Sequence, residues 1–287
     1  MRRIPVIATV RDAYTFLAAH LGGIIGLIWL SMVLVTVAQF FTFWRCYSDF
    51  MDVAAGGDAA RMGPAVLMLL GYLVAKLLLY AVMFVAVVQL ALGARTAPTL
   101  LHFAFGPAEW RLFRAFCGMA GLLFLASMAV LSLARILLQS AASQPMQAAV
   151  GGFMLLVMLA AGLVLASRFL LLAPAIAVGE SEPVLRRAWG LSAGHFLSLL
   201  GILLLLFLPL ALFFFLLDVG LQPQGGVAGG TVQQQMITAI AHVRDLLPLT
   251  CGLSFFFSPL VIGLLASASV SSWRALKQEP AALDIAV

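Results

Sequence analysis

The chain reads as an all-α, polytopic membrane protein, and three observations support that class. Hydrophobic residues fill 64% of the 287 positions and charged ones only 9%, a balance that leaves no polar shell for a soluble domain. The apolar residues gather into six runs, each near or above the ~20 residues a helix needs to cross a hydrocarbon layer of ~30 Å. Within those runs there is no period of two. The segment 199–217 is apolar on every face, whereas a barrel strand alternates lipid-facing and lumen-facing positions.

Arg2, Arg3 and Arg11 precede the first run, which covers 21–41. It is too long and begins too late for a cleavable leader. Before it, Ile7, Val10, Tyr14 and Leu17 fall at helical spacing around Arg11 and Asp12, the pattern of a helix lying in the interface plane. Gly22 and Gly26 form a G-x-x-x-G pair that allows close helix packing. The connection over 42–63 carries Trp44, Arg45, Asp49, Asp52, Asp58 and Arg61, with a turn at Gly56 and Gly57. The second run, 65–92, exceeds one crossing and must tilt or protrude. Lys76 lies within it, between Tyr72 and Tyr80.

A polar interval over 93–114 holds Arg95, Arg111 and Arg114 against Glu109, with Phe105, Trp110 and Phe113 as headgroup anchors. The third span is expected at about 115–134 and the fourth at about 148–173, with a turn at Pro174. The fifth covers 196–217, interrupted by Pro209, which frees a carbonyl one turn earlier. A glycine-rich stretch over 221–230 leads to an amphipathic helix at 231–245, capped by Thr231 and striped by Val232, Met236, Ile240 and Val243. The sixth span follows at about 246–270, kinked by Pro259, and no soluble domain is expected in the tail.

Net charge is +5, but the cations lie between spans, where they set orientation and meet anionic headgroups rather than nucleic acid. Eleven basic residues fall on the side of the termini: Arg2, Arg3, Arg11, Arg95, Arg111, Arg114, Arg168, Arg186, Arg187, Arg274 and Lys277. Arg45, Arg61, Arg135 and Arg244 make four on the other. Both termini are therefore expected in the cytoplasm of a bacterial cell, with the spans in its inner membrane. RDAYTFLAAHL from Arg11 matches RRAWGLSAGHF from Arg186 without a gap, which suggests a threefold repeat with units of about 1–93, 94–178 and 179–287 inside one membrane domain. The middle copy, around Pro98, Ala104, Phe105 and Gly106, needs a one-residue gap. Shared headgroup chemistry before a span would also produce such likeness.

Between Arg168 and Phe196 the chain carries Arg168-Phe169, Pro174-Ala175-Ile176, Glu180, and Leu185-x-Arg187-x-Trp189-x-Leu191-Ser192-x-Gly194. In these residues it resembles bacterial six-span inner-membrane proteins of the glycerophosphoryl diester phosphodiesterase membrane-domain type and their YciC-like relatives. That pattern commonly has Ser before the Trp, where this chain has Ala188. The resemblance implies a membrane module, and with no soluble catalytic domain expected after the spans, no phosphodiesterase activity is expected.

Lys76 is the sharpest anomaly, since a charge near the bilayer centre costs at least ~2.5 kcal/mol and marks a pathway or ligand. Tyr72 and Tyr80 are placed to hold it by cation–π contact, with an anionic lipid or ligand as its partner. The competing reading lets 77–92 do the crossing while Lys76 snorkels to the headgroups. A second cluster, Arg168, Glu180, Glu182, Arg186, Arg187, Trp189 and His195, sits at the cytoplasmic interface. There Ser181 would cap a short helix, the glutamates favour its N-terminus, and the arginines face anionic lipid. Arg168 also reads as the basic end of the fourth span, with Glu180 as a partner.

No catalytic, P-loop or metal signature is present, so no cofactor, metal or enzyme activity is expected. The expected function is an accessory or scaffold module that binds membrane lipids or another membrane protein. The alternative is a carrier of an amphiphilic or anionic small molecule through helices broken at Pro209 and Pro259. A lipid-headgroup enzyme ranks third. Substrate, partner and oligomeric state are not readable from these residues.

Overall fold

The computed structural model describes residues 4–94, 105–140, 144–179, 189–190, 192, 194–221 and 232–277. All regular structure among them is helical: α1 Val6–Ala54, a 3-10 turn Ala59–Arg61, α2 Met62–Leu92, α3 Pro107–Ser140, α4 Gln144–Phe169, α5 Leu172–Ala177, α6 Phe196–Leu221, α7 Val232–Asp245 and α8 Leu247–Lys277. Six segments are long and apolar enough to cross a membrane: α1, α2, α3, α4 with α5, α6 and α8.

The first helix departs from the expected layout. Its 49 residues, at ~1.5 Å each, make a rod of about 74 Å. The segment 6–17 does not form a separate in-plane helix but runs straight into the span, and helix continues through the polar residues 42–54. Nothing in between is a strong breaker. Gly22 and Gly23 are tolerated within the apolar run, and neither has a neighbour within 4 Å of an added Cβ, so Gly22 does not mark a packing contact within the chain. The helix stops where Gly56 takes φ 94°. Asp58 then accepts a hydrogen bond from the Ala60 amide at 2.9 Å and starts the 3-10 turn.

Two side-chain contacts fix the register of α1 against α2. The Cys46 thiol donates to the Ala65 carbonyl at 3.5 Å, and the Tyr72 hydroxyl donates to Gln39 Oε1 at 3.2 Å. Equal spacing along both helices, 39 to 46 and 65 to 72, means an antiparallel pair without slip. Phe41 therefore stands level with Leu70, and Val35 with Lys76. At its other end α2 closes with Gly93 at φ 74°, the left-handed cap that suits glycine. Arg274 of α8 reaches the Ala91 and Leu92 carbonyls there at 3.3 and 3.2 Å.

The remaining spans begin or end differently from the hydropathy boundaries. α3 starts at Pro107, at the first helical position where a missing N–H costs nothing, and Glu109 reaches back to the Gly106 amide at 2.9 Å. α4 ends at Phe169, four residues before the expected break. The turn falls at Leu170 and Leu171, and Pro174 lies within the first turn of α5, which a proline tolerates. α8 runs seven residues beyond the expected 270, carrying the amphipathic SSWRALK with it. The helix expected at 231–245 is found as α7, packed along α1, while Thr231 lies outside the described residues. The aligned segments around His20 and His195 also differ in shape: His20 is inside α1, whereas Gly194 and His195 form a turn before α6.

The tight core sits at the end where the chain begins and α8 finishes. There α2 is buried almost all round from Ala81 to Val88, enclosed by α1, α3, α5 and α8, and Leu170–Ile176 is wholly buried. Gly263 of α8 lets Leu17 and Ile24 of α1 approach closely. Away from this end the helices present apolar side chains outward, including Leu67 and Leu70 of α2, Leu125 and Leu131 of α3, Leu156 and Leu159 of α4, and Leu208 and Phe215 of α6. A polar solvent would not tolerate so much apolar surface, and a bilayer requires it. The protein is a multi-pass membrane protein.

Candidate functional site

On α2 the spacing of four residues places Tyr72, Lys76 and Tyr80 on one helix face. The Lys76 ammonium lies 5.6 Å from the Tyr72 ring centroid and 5.7 Å from that of Tyr80, inside the ~6 Å range of cation–π attraction. Tyr72 is buried. Its hydroxyl is held by Gln39, and its ring meets Phe43 edge-on at 5.6 Å. Among the described residues the ion pairs are Arg11–Asp12, Arg45–Asp49, Arg61–Asp52 and Arg244–Asp245, and Lys76 belongs to none of them. Ring faces supply ~0.5–2 kcal/mol each, the same order as the cost of at least ~2.5 kcal/mol for a charge at the bilayer centre.

Helix register gives the position of Lys76 relative to the end of the first apolar run. If Phe41 ends the apolar run of α1, the register puts the Lys76 backbone six residues inside that edge, about 9 Å at ~1.5 Å per residue. Side chains on a helix lean toward its N-terminus, which for α2 is the nearer surface. On that rule the Lys76 stem runs toward the level of Tyr72, and its ammonium stands between the Tyr72 and Tyr80 rings. Beyond the edge, Arg244 of α7 stacks on Trp44 at 5.5 Å. Neither Gln39 nor Arg244 was singled out in the sequence. Gln39 had a signal, being one of very few polar side chains in its run, but only the helix register shows that it meets Tyr72.

The second cluster is seen in part. Arg168, at the end of α4, has its guanidinium carbon 5.0 Å from the Trp189 ring and 5.5 Å from that of Phe196. Its Nη1 donates to the Ser192 hydroxyl oxygen at 3.2 Å and to the Trp189 carbonyl at 3.4 Å, and the fully buried Ser192 hydroxyl itself donates to that carbonyl at 3.0 Å. Arg168 thus fastens the chain before α6 to the end of α4. His195 is half-buried in the turn that opens α6, its amide donating to the Ser192 carbonyl at 3.2 Å. Glu180, Glu182, Arg186 and Arg187 lie outside the described residues. Among those described, no three His, Cys, Asp or Glu side chains converge as metal ligands. No family model, curated protein or solved structure matches this chain.

Proposed function

We propose that the protein is a non-enzymatic integral module of a bacterial inner membrane, an accessory or scaffold that engages lipids or another membrane protein, with both termini in the cytoplasm. The observation that carries this reading is the α3–α4 hairpin. In the most apolar stretch of α3 no residue is buried, and in that of α4 hardly any is. Gly118 and Gly121 on α3, with Gly151, Gly152 and Gly162 on α4, have open space where a Cβ would stand, and small residues on a membrane-facing surface admit the close approach of another helix. The likeness of 168–194 to the six-span membrane-domain family supports the same reading, as does the bias of arginine toward the side of the termini. A threefold repeat fits it as well.

The carrier reading draws on Pro209 inside α6 and Pro259 inside α8. Lys76, read as a side chain that snorkels toward the headgroups, lends it no support. A photo-crosslinking amino acid at Leu125 or Leu156, both well exposed, tests the proposal in native membranes. Adducts with lipid or with one discrete membrane protein are expected. Crosslinks confined to the chain itself, showing the hairpin folded against the bundle, would refute it.

A further inference from the structure

We propose that Lys76 holds the phosphate of an anionic phospholipid in the leaflet away from the termini, with Tyr72 and Tyr80 as the walls of the site. This rests on the lipid-engaging reading above and names its ligand and place.

The ammonium is pinned between two ring faces, 5.6 and 5.7 Å away, and one of those rings is fixed in turn by the Gln39 hydrogen bond. The cation is therefore held in place rather than free to sweep the surface. No carboxylate among the described residues pairs with it. Asp49, the nearly buried acid on α1, stands ten residues beyond Gln39 and is taken by Arg45 at 3.3 Å. What remains is an ammonium with three donors, rooted about 9 Å inside the Phe41 edge at ~1.5 Å per residue, on a stem of the kind that snorkels toward headgroup phosphates. Leu73, one turn away on α2, is exposed and offers a surface for the acyl chain. Trp44 and Arg244, three residues of α1 beyond Phe41, bring a second cation to headgroup height. Arg244 is already paired with Asp245 at 3.7 Å, so the charge of Lys76 is the one that favours a net anionic lipid over a zwitterionic one.

Native mass spectrometry of the full chain from bilayers of mixed phosphatidylglycerol and phosphatidylcholine tests this. Wild type should retain phosphatidylglycerol over phosphatidylcholine by about fivefold, the equivalent of ~1 kcal/mol for one basic group at an anionic surface. Lys76→Met should lose the preference and Lys76→Arg keep it. An equal preference in wild type and Lys76→Met overturns the site while leaving lipid engagement elsewhere intact; retention of no lipid by wild type removes both. Excess inorganic phosphate should leave the retained lipid in place, and its displacement would overturn the lipid assignment. Should Lys76→Met fail to fold, Tyr80→Leu, which removes one wall, should fall below Lys76→Arg in preference; the reverse order overturns the proposal.

Discussion

A close approach of α1 and α8 can be tested at a single glycine. A Cβ on Gly263 would stand 2.7 Å from Leu17 Cδ1 and 3.1 Å from Ile24 Cδ1. Carbon contacts are comfortable near ~3.5 Å and beyond, so the first methyl alone overlaps Leu17 by about 0.8 Å and Ile24 by about 0.4 Å. Ile24 is fully buried and cannot retreat, whereas Leu17 keeps a little exposure and can swing at its far end. Gly263→Ala should be close to neutral, because relief of the glycine penalty, about 1 kcal/mol in a helix, opposes the overlap. Gly263→Val adds two further methyls and should destabilise by about 1–3 kcal/mol. Thermal unfolding in detergent, followed by a thiol-reactive dye that reports exposure of the buried Cys46 and Cys251, should show the valine variant opening at lower temperature. Leu17→Ala in the same chain should recover part of the loss, a coupling expected of residues in contact. A valine variant as stable as wild type, with no coupling to Leu17, would refute the packing of α1 on α8.

Two further contacts make predictions of their own. The Tyr14 hydroxyl donates to the Leu206 carbonyl of α6 at 3.1 Å, so Tyr14→Phe should cost about 0.5–1.5 kcal/mol in the same unfolding assay. Arg168→Lys keeps the charge but loses the planar stack on Trp189 and Phe196; the half-exposed Trp189 should become more accessible to a fluorescence quencher, and unchanged quenching would contradict the clamp.

Hydropathy located all six candidate spans found among the described residues, because the bilayer imposes a length that no tertiary contact overrides. It failed at the helix ends, where the same constraint is silent. Residues 42–54 are polar enough to read as a loop, yet they contain no glycine or proline, and a helix already nucleated in the membrane simply continues through them until Gly56. The break after α4 is hidden for the opposite reason: Leu170 and Leu171 are as apolar as their neighbours, so only burial of Leu172–Ala177 against α2 and α8 distinguishes a turn from more span. At the candidate site, the Tyr72–Lys76–Tyr80 face was legible because it lies on one helix at a spacing of four. Gln39 comes from another helix, and nothing in a linear string gives the register that brings it to Tyr72. Arg168 was read as the basic end of a span; its embrace by Trp189, Ser192 and Phe196 depends on how the chain returns to start α6.

The account rests on the chain crossing a bilayer, and α2 offers the most direct test. With the native cysteines replaced by alanine, Asp58→Cys and Ala94→Cys bracket that helix. A membrane-impermeant maleimide applied to intact cells should label position 58, and should label position 94 only after permeabilisation. Identical labelling of both positions under both conditions would contradict the crossing.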